Sequence, residues 1–289
     1  MAANDSVSAN ALIQEQVSTM LVEPLEADSV VLSAGPKIFE SSEPLRIPTL
    51  SAGFDPQWVG ENELIPEDAA KFGEIELMPE SRKSIKTITR VSNELIRMAK
   101  HGVTEVLQRR LVTDVANKLD HALLRGDGAG DSVTGILNQA GTQRSKFDPA
   151  DPDTILDAIA LAESKEVAPN RLFLSGGDYA ALAKVKDKNG AYMLQSTKAV
   201  DGALVRTVFG IPVTVTNKLK AGEGALVDMS QVAVVRDINP TITVLNERYA
   251  EFDQVGIRCV TRYDMGLLHP EGVVVLGGGT RTTPGGVGA

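Results

Sequence analysis

The residues with the greatest chemical potential form one cluster, Gly126-Asp127-Gly128-Ala129-Gly130-Asp131, which has the texture of a phosphate-cradling loop. Such a loop sits between a strand and a helix, and a Lys-Ser/Thr pair follows it to reach the phosphates. Here the glycines come after a helical pattern, no such pair follows, and two aspartates repel phosphate. Gly126, Asp127, Gly128, Gly130 and Gly135 are therefore expected to build a tight turn at a helix end, where glycine permits positive φ and Gly126 offers a left-handed cap. The three histidines, His101, His121 and His269, show no i, i+3 or i, i+4 pairing, and Cys-x-x-Cys is absent, so no metal site is expected. No Gly-x-Ser-x-Gly elbow occurs, since Leu174-Ser175-Gly176-Gly177 lacks the first glycine. Glu61, Glu63, Glu67 and Asp68 lack the Asp-x-Asp-x-Asp-Gly calcium pattern and read as solvated charge. The lone Cys259 lies between Arg258 and Val260 in a strand-like run and reads as a small buried apolar residue. The expectation is no catalytic residue, no cofactor and no enzyme. The competing reading is a cytosolic α/β enzyme using Asp127, Asp131 and His121 near the helix end.

The elements that place these residues follow from patterning. The strongest signal is a stripe of Leu95, Ala99, Val103, Val106, Leu107, Leu111, Val115, Leu119, Ala122 and Leu123 at steps of three and four. Ser92 is the candidate N-cap, Glu94 favours the first turn, and Gly126 ends the pattern. Such a helix is ~50 Å long at 1.5 Å per residue, with a bend plausible at Gly102, and its single apolar stripe needs a sheet or a neighbouring subunit. Arg97, Lys100, Gln108, Arg109, Asp114, Lys118 and Asp120 fall on its other faces. Upstream, Pro44, Pro48, Pro56, Pro66 and Pro79 forbid a long helix between Phe39 and Met78 and leave an extended, partly hairpin arm, flanked by strands at 73–78 and 85–91. Downstream, strand and helix patterns alternate over about 141–240, and strands dominate 241–276. The tail 277–289 is rich in Gly and Thr.

Composition narrows the function classes. The 289 residues allow roughly two compact units. With 43% apolar but only 4% aromatic residues, the core is aliphatic, and the chain is neither disordered nor collagen-like. A net charge of −9 (29 Lys+Arg against 38 Asp+Glu) argues against sequence-specific nucleic-acid reading, though a container for DNA can be acidic. One cysteine excludes an intrachain disulfide framework. No basic n-region precedes an apolar run, and no apolar window is long enough to span a bilayer, so a chain without membrane association is expected.

Four ordered segments resemble the major capsid proteins of tailed bacteriophages, the Hong Kong 97-type shell fold. They are Leu124-Arg125-Gly126-Asp127-Gly128 through Gly135-Ile136-Leu137-Asn138, and Tyr179-Ala180-Ala181-Leu182 continuing to Val185-Lys186-Asp187-Lys188-Asn189-Gly190-Ala191-Tyr192. The others are Val208-Phe209-Gly210-Ile211-Pro212-Val213 with Asn217 and Ala225-Leu226-Val227-Asp228, and Ile257-Arg258 to Arg262-Tyr263-Asp264 closing with His269-Pro270-Glu271-Gly272-Val273-Val274-Val275-Leu276. Each alone is weak, but their order and spacing make the match strong.

The resemblance implies an α+β fold with a long spine helix and five parts. These are an N-terminal arm at 1–44, an extended β-hairpin loop at 45–88, a peripheral domain at 89–140 with 241–280, an α/β axial domain at 141–240, and a flexible tail at 281–289. Arm and loop lie over neighbouring subunits in such shells, which makes Trp58, Glu61, Glu63 and Lys71 the candidate inter-subunit contacts. The implied function is a shell of hexamers and pentamers enclosing double-stranded DNA, with a virion location and assembly in the host cytoplasm. The implied partners are further copies of the chain, a portal and decoration proteins. Many relatives carry a scaffolding region before the arm, whereas here only about 40 residues precede the loop, so a separate scaffolding protein, or none, is expected. Lys71 is the only lysine between Leu45 and Arg82, but no asparagine partner is matched, so the covalent crosslink of some relatives is not carried over. The alternative on the same fold is an encapsulin-like nanocompartment enclosing a cargo protein.

Overall fold

The computed structural model describes residues 25, 28–52, 58–60, 71–78, 84–94, 103–186, 192, 197–198, 204–237, 241–245 and 247–277. In chain order the first strands are β1 (Lys37–Glu40), β2 (Leu45–Ala52), β3 (Lys71–Leu77) and β4 (Ile85–Ser92), followed by helix α1 (Val103–Arg125). Next come β5 (Gln143–Ser145), α2 (Asp153–Glu163), β6 (Arg171–Leu174), α3 (Gly176–Ala183), β7 (Thr197–Lys198), β8 (Leu204–Val205), β9 (Thr207–Val208) and β10 (Ile211–Val215). The chain ends with β11 (Glu223–Val227), β12 (Val232–Arg236), β13 (Thr241–Leu245), β14 (Gln254–Thr261), β15 (Tyr263–Leu267) and β16 (Val273–Gly277). The long helical pattern is realised over α1 with Asn93 and Glu94 also helical, while Gly102 and its expected bend lie outside the described residues.

Three sheets surround α1. The six-stranded sheet runs β5-β16-β11-β6-β10-β9, and two three-stranded sheets run β1-β12-β15 and β13-β14-β4. In the larger sheet alternate residues face opposite ways, as a pleated strand requires. Phe173, Ala225, Val227, Val273 and Val275 join the α1 core, whereas Leu172, Leu174, Leu226, Val274 and Leu276 pack with Ile155, Ala158 and Ala162 of α2. On α1, Leu111, Val115, Leu119 and Leu123 are buried, as their spacing predicts. Cys259 and Ile257 from β14 and Val91 from β4 close the same core from the other side. Burial pushes the Cys259 thiol above its ordinary pKa and leaves it inert.

Strand pairing departs from the sequence reading in three places. The hairpin is β2 with β3, from Leu45↔Leu77 to Ala52↔Lys71, and β4 does not flank it but pairs antiparallel with β14 over Ile85–Ser92. Residues 85–88, grouped by sequence with the loop, thus belong to a sheet. Likewise β16, grouped by sequence with the peripheral strands, pairs with β11 and β5 in the six-stranded sheet, because its four consecutive valine and leucine residues suit a strand buried on both faces. Finally, part of the N-terminal stretch packs on its own chain. Leu25 and Val31 are fully buried in the α1 core, and β1 pairs parallel with β12.

Asp120 explains that last departure. Expected on a polar face of the helix, it is 2% exposed. Its Oδ1 accepts from Ser29 Oγ (2.6 Å) and Val31 N (3.2 Å), and its Oδ2 accepts from Val30 N (2.9 Å). A buried carboxylate is tolerable only when its lone pairs are filled in this way. Asp120→Ala strands those donors and is expected to cost about 1–3 kcal/mol. The checks are the urea midpoint and faster hydrogen exchange at the Val30 and Val31 amides. Unchanged exchange there removes the anchoring role.

Candidate functional site

Two candidate surfaces emerge from the residues singled out by sequence, the turn that ends α1 and the β2–β3 hairpin. At the turn, the helix ends with Gly126 N donating to Ala122 O (2.8 Å), and the chain loops back so that Gly135 N donates to Gly126 O (2.9 Å). Asp127 and Thr134 form an antiparallel bridge between them. Gly126 does not take the left-handed cap expected of it; the positive-φ glycines of the turn are Gly128 (φ +71) and Gly130 (φ +57). Gly126 is required instead by crowding, since a Cβ there would lie 1.9 Å from Val133 O and 2.5 Å from Ala122 O. Gly135 is in the same position, with Arg125 N and Gly126 N both 2.6 Å from a Cβ. Asn138 Nδ2 then donates to Arg125 O and Gly126 O, filling carbonyls that a helix end leaves open. Ala129 N donates to Asp127 Oδ1 (3.0 Å), so this acid closes its own turn.

A groove of about 770 Å³ runs between α1, β4 and the turn and is lined by Lys118, His121, Arg125, Asp127, Asp131 and Tyr263, among others. It brings together the three residues of the enzyme reading, Asp127, Asp131 and His121, all of them exposed. His121 has its pKa held below the ordinary 6.5, first by partial desolvation and then by Arg125, Lys118 and Lys218. Among the described residues no carboxylate hydrogen-bonds to His121, the contact that orients a general base. Among the described residues no group of three or more His, Cys, Asp or Glu side chains could hold a metal ion.

The hairpin carries the other candidates. Trp58 is fully exposed at 106%. Lys71 opens β3, paired with Ala52, and Glu61 and Glu63 lie outside the described residues. The hairpin base is anchored, which sequence reading missed. Leu77 and Met78 are buried with Ala233 and Val235 of β12, and Ile47, Ile75 and Phe39 pack around them. Asp264 secures this contact, its Oδ2 accepting from Met78 N (2.8 Å) and its Oδ1 from Met265 N (2.9 Å). Gly266 leaves the room needed, because a Cβ there would meet Leu77 Cδ2 at 2.6 Å.

The spine helix packed among three sheets, with a two-stranded hairpin following the first strand of one of them, defines the fold class. The profile of the Phage capsid family matches residues 9–278, and the chain belongs to that family. It is 26% identical over 294 residues to the major capsid protein of Klebsiella oxytoca phage phiKO2, across 93% of this chain and 68% of that one. It is also 27% identical over 175 residues to the major capsid protein of Enterobacteria phage HK97, across 58% of this chain and 44% of that one. Among solved structures, a chain of Mycobacterium phage Bobi matches with TM-score 0.71 and 20% identity, over 87% of this chain and 91% of that one. A chain from the capsid of an empty GTA particle matches with TM-score 0.69 and 15% identity, over 86% and 89%. The fold is α+β of the Hong Kong 97 type. Among the described residues no helix is long and apolar enough to cross a membrane.

Two measurements probe the turn. Gly126→Ala drives a methyl group into two carbonyls and is expected to cost on the order of 3 kcal/mol or more. By contrast, Gly130→Ala meets nothing within 4 Å and has only its left-handed φ to overcome, about 1–2 kcal/mol. Equal melting temperatures for the two variants overturn the crowding argument. For His121 the folded state binds the proton less readily than the unfolded state, so its contribution is complete above pH 6.5 and declines as pH falls below it. His121→Gln is expected to flatten that acid-side decline in the pH dependence of the urea midpoint.

Proposed function

We propose that this chain, a major capsid protein of a tailed bacteriophage, assembles as hexamers and pentamers into an icosahedral shell that encloses double-stranded DNA. The observation that carries the reading is the family match over residues 9–278, joined to a fold that aligns along about nine-tenths of a chain of Mycobacterium phage Bobi (91%) and of a chain from the capsid of an empty GTA particle (89%). The protein is a virion component, built in the host cytoplasm, and its role is structural rather than enzymatic. Its aliphatic cores and repeated modest contacts suit a closed assembly. The net charge of −9 suits a wall that encloses DNA without reading its sequence. Further copies of the chain are its principal partners, with a portal, decoration proteins and either a separate scaffolding protein or none beside them.

Within the subunit, α1 with the sheet β13-β14-β4 forms the peripheral part, and α2, α3 and the six-stranded sheet form the axial part near the symmetry axes. The turn at Gly126, Asp127, Gly128, Gly130 and Gly135 holds the two together, while Trp58, Glu61, Glu63 and Lys71 act between subunits. The nanocompartment alternative is not favoured, because the relatives by sequence are phage major capsid proteins.

Negative-stain microscopy of purified protein, alone and with its scaffolding partner, is expected to show closed shells. Only monomers of 30.7 kDa under both conditions would refute the reading. Replacing residues 53–70 by an Asn-Gly turn keeps the described β2–β3 pairs and is expected to leave the melting temperature unchanged but abolish shells. Normal shells from this variant remove the inter-subunit role of the loop.

A further inference from the structure

The strand β4 lies at the edge of the β13-β14-β4 sheet, and among the described residues no strand pairs with its free side. The register fixes which backbone groups that side presents. Asn93 N donates to Asp253 O (3.0 Å), one step beyond the Ser92↔Gln254 pair, and bonded and non-bonded pairs alternate along an antiparallel ladder. Ile85, Thr87, Thr89 and Val91 therefore bond to β14, whereas Lys86, Ile88 and Arg90 turn their N–H and C=O groups toward the free side. Native edge strands are commonly kept very short or blunted by proline, a bulge or charge, because an open row of donors and acceptors is a template for another strand. β4 is eight residues long, five of them β-branched, with no proline and an unbroken register.

That edge borders the groove of about 770 Å³ beside α1. Ser84, Ile85, Lys86, Thr87 and Thr89 form one wall, and α1 from Leu111 to Arg125 forms the other. Lys86 alternates with the inward-facing Ile85 and Thr87, so its place in the wall means that the groove follows the edge of the strand and not only the underside of the sheet. The strand wall is ~17 Å long at 3.3 Å per residue and the helix wall ~21 Å at 1.5 Å per residue, room for about six residues of extended chain. The floor is apolar, with Leu111, Val115, Leu119 and Val133 buried along it. Most rim charges are already engaged. Asp114 pairs with Arg110 (3.1 Å), Arg125 pairs with Glu223 (3.2 Å), and Asp127 closes its own turn. Among the described residues Lys86 and Lys118 have no carboxylate within ion-pair distance, which leaves two uncommitted cations against the single carboxylate of Asp131.

We propose that this groove binds an extended peptide segment of a separate protein, which adds as a strand to the free side of β4 and lies against α1. Residues of that segment opposite Thr87 and Thr89 point inward and are apolar, covering Leu111 and Val115. The intervening residues point outward and carry acids, which meet Lys86 and the rim cation Lys118. An α-helix spends its own N–H and C=O groups internally and leaves the row on β4 unpaired, so a strand is the occupant that fits. Strand addition of this kind draws affinity from main-chain bonds and specificity from alternate side chains. The site belongs to the single subunit, so the proposal goes beyond the capsid reading and does not depend on it.

The test uses the full-length chain and a fluorescein-labelled hexapeptide of alternating valine and glutamate, read by fluorescence anisotropy and by amide hydrogen exchange. Saturable binding is expected, with exchange at the Lys86, Ile88 and Arg90 amides slowed about tenfold or more and that at Thr87 and Thr89 little changed. A peptide with lysine in place of glutamate is expected to bind about tenfold or more weakly. So is a fully N-methylated peptide, which has no donors for the edge. Ile88→Pro removes one edge donor and none of the bonds to β14, and is expected to weaken binding by a similar factor at the wild-type melting temperature. Lys118→Glu covers the case in which the proline unfolds the sheet, and is expected to narrow or reverse the preference for glutamate over lysine. Absence of saturable binding overturns the proposal. If the edge amides are already slow before any peptide is added, a segment of the chain itself fills the groove, and the proposal fails in the same way. Equal affinity for the N-methylated peptide, or wild-type affinity from Ile88→Pro at an unchanged melting temperature, overturns it as well. None of these measurements requires shells, so failure here leaves the capsid reading to be decided by microscopy.

Discussion

At the end of the spine helix two stretches of backbone cross more closely than any side chain permits, and the rest of the subunit depends on that crossing. Gly126 and Gly135 face each other through the 2.9 Å bond from Gly135 N to Gly126 O. Beyond the crossing, Ile136 and Leu137 are buried in the α1 core, and Gln139 Nε2 donates to Thr134 O and to Met265 O of β15. The chain then enters β5, which pairs with β16. A single close approach therefore sets the helix relative to both the six-stranded sheet and the sheet that carries the hairpin. Protein interiors are packed densely enough that a shift of one methyl group at such a point is transmitted rather than absorbed.

Buried carboxylates perform the same service at three other joints. Asp120 accepts from the backbone of Val30 and Val31, Asp264 from that of Met78, and Asp178 from Gly222 N (3.0 Å), each tying together segments far apart in sequence. Asp178 is further held by Ser175 Oγ at 2.8 Å, whose own oxygen accepts Asp178 N at the start of α3. An ionised group out of water costs several kcal/mol unless its oxygens are filled, so these positions tolerate only one arrangement of their neighbours. Aliphatic packing drives the collapse, and the carboxylates select which loops and arms dock where.

Periodicity made much of this fold legible, because burial on one helix face leaves its mark at every third and fourth residue. Leu111, Val115, Leu119 and Leu123 fall where the stripe puts them, and the proline-rich stretch does contain a hairpin. What stayed hidden was long-range pairing. Nothing local to Ile85–Ser92 says that it will join β14 rather than β3, and nothing local to Val273–Gly277 says that it will join β11. By sequence Asp120 falls on a polar face of the helix, because an aspartate there looks the same whether water or a distant Val30 amide fills its oxygens. The glycine turn was legible as a turn, but its reason differed from one glycine to the next. Gly128 and Gly130 need their φ, whereas Gly126 needs space, and only the fold distinguishes the two.

The contrast between the two ends of the hairpin bears on how a shell of this kind can be assembled without error. At its base, Leu77 and Met78 are buried and Asp264 fixes the backbone, so that end belongs to the subunit at all times. On its exposed side β3 presents Glu74 and Glu76, and an exposed ion pair is worth only about 0–1 kcal/mol. Contacts that weak let a misplaced copy leave again, while a closed shell repeats them over every subunit and accumulates stability by number. An apolar outer side would hold the first contact it made, right or wrong, and would leave an adhesive patch on every free subunit. Acids such as Glu74 and Glu76 on the exposed side of the hairpin therefore suit reversible assembly better than an apolar surface would.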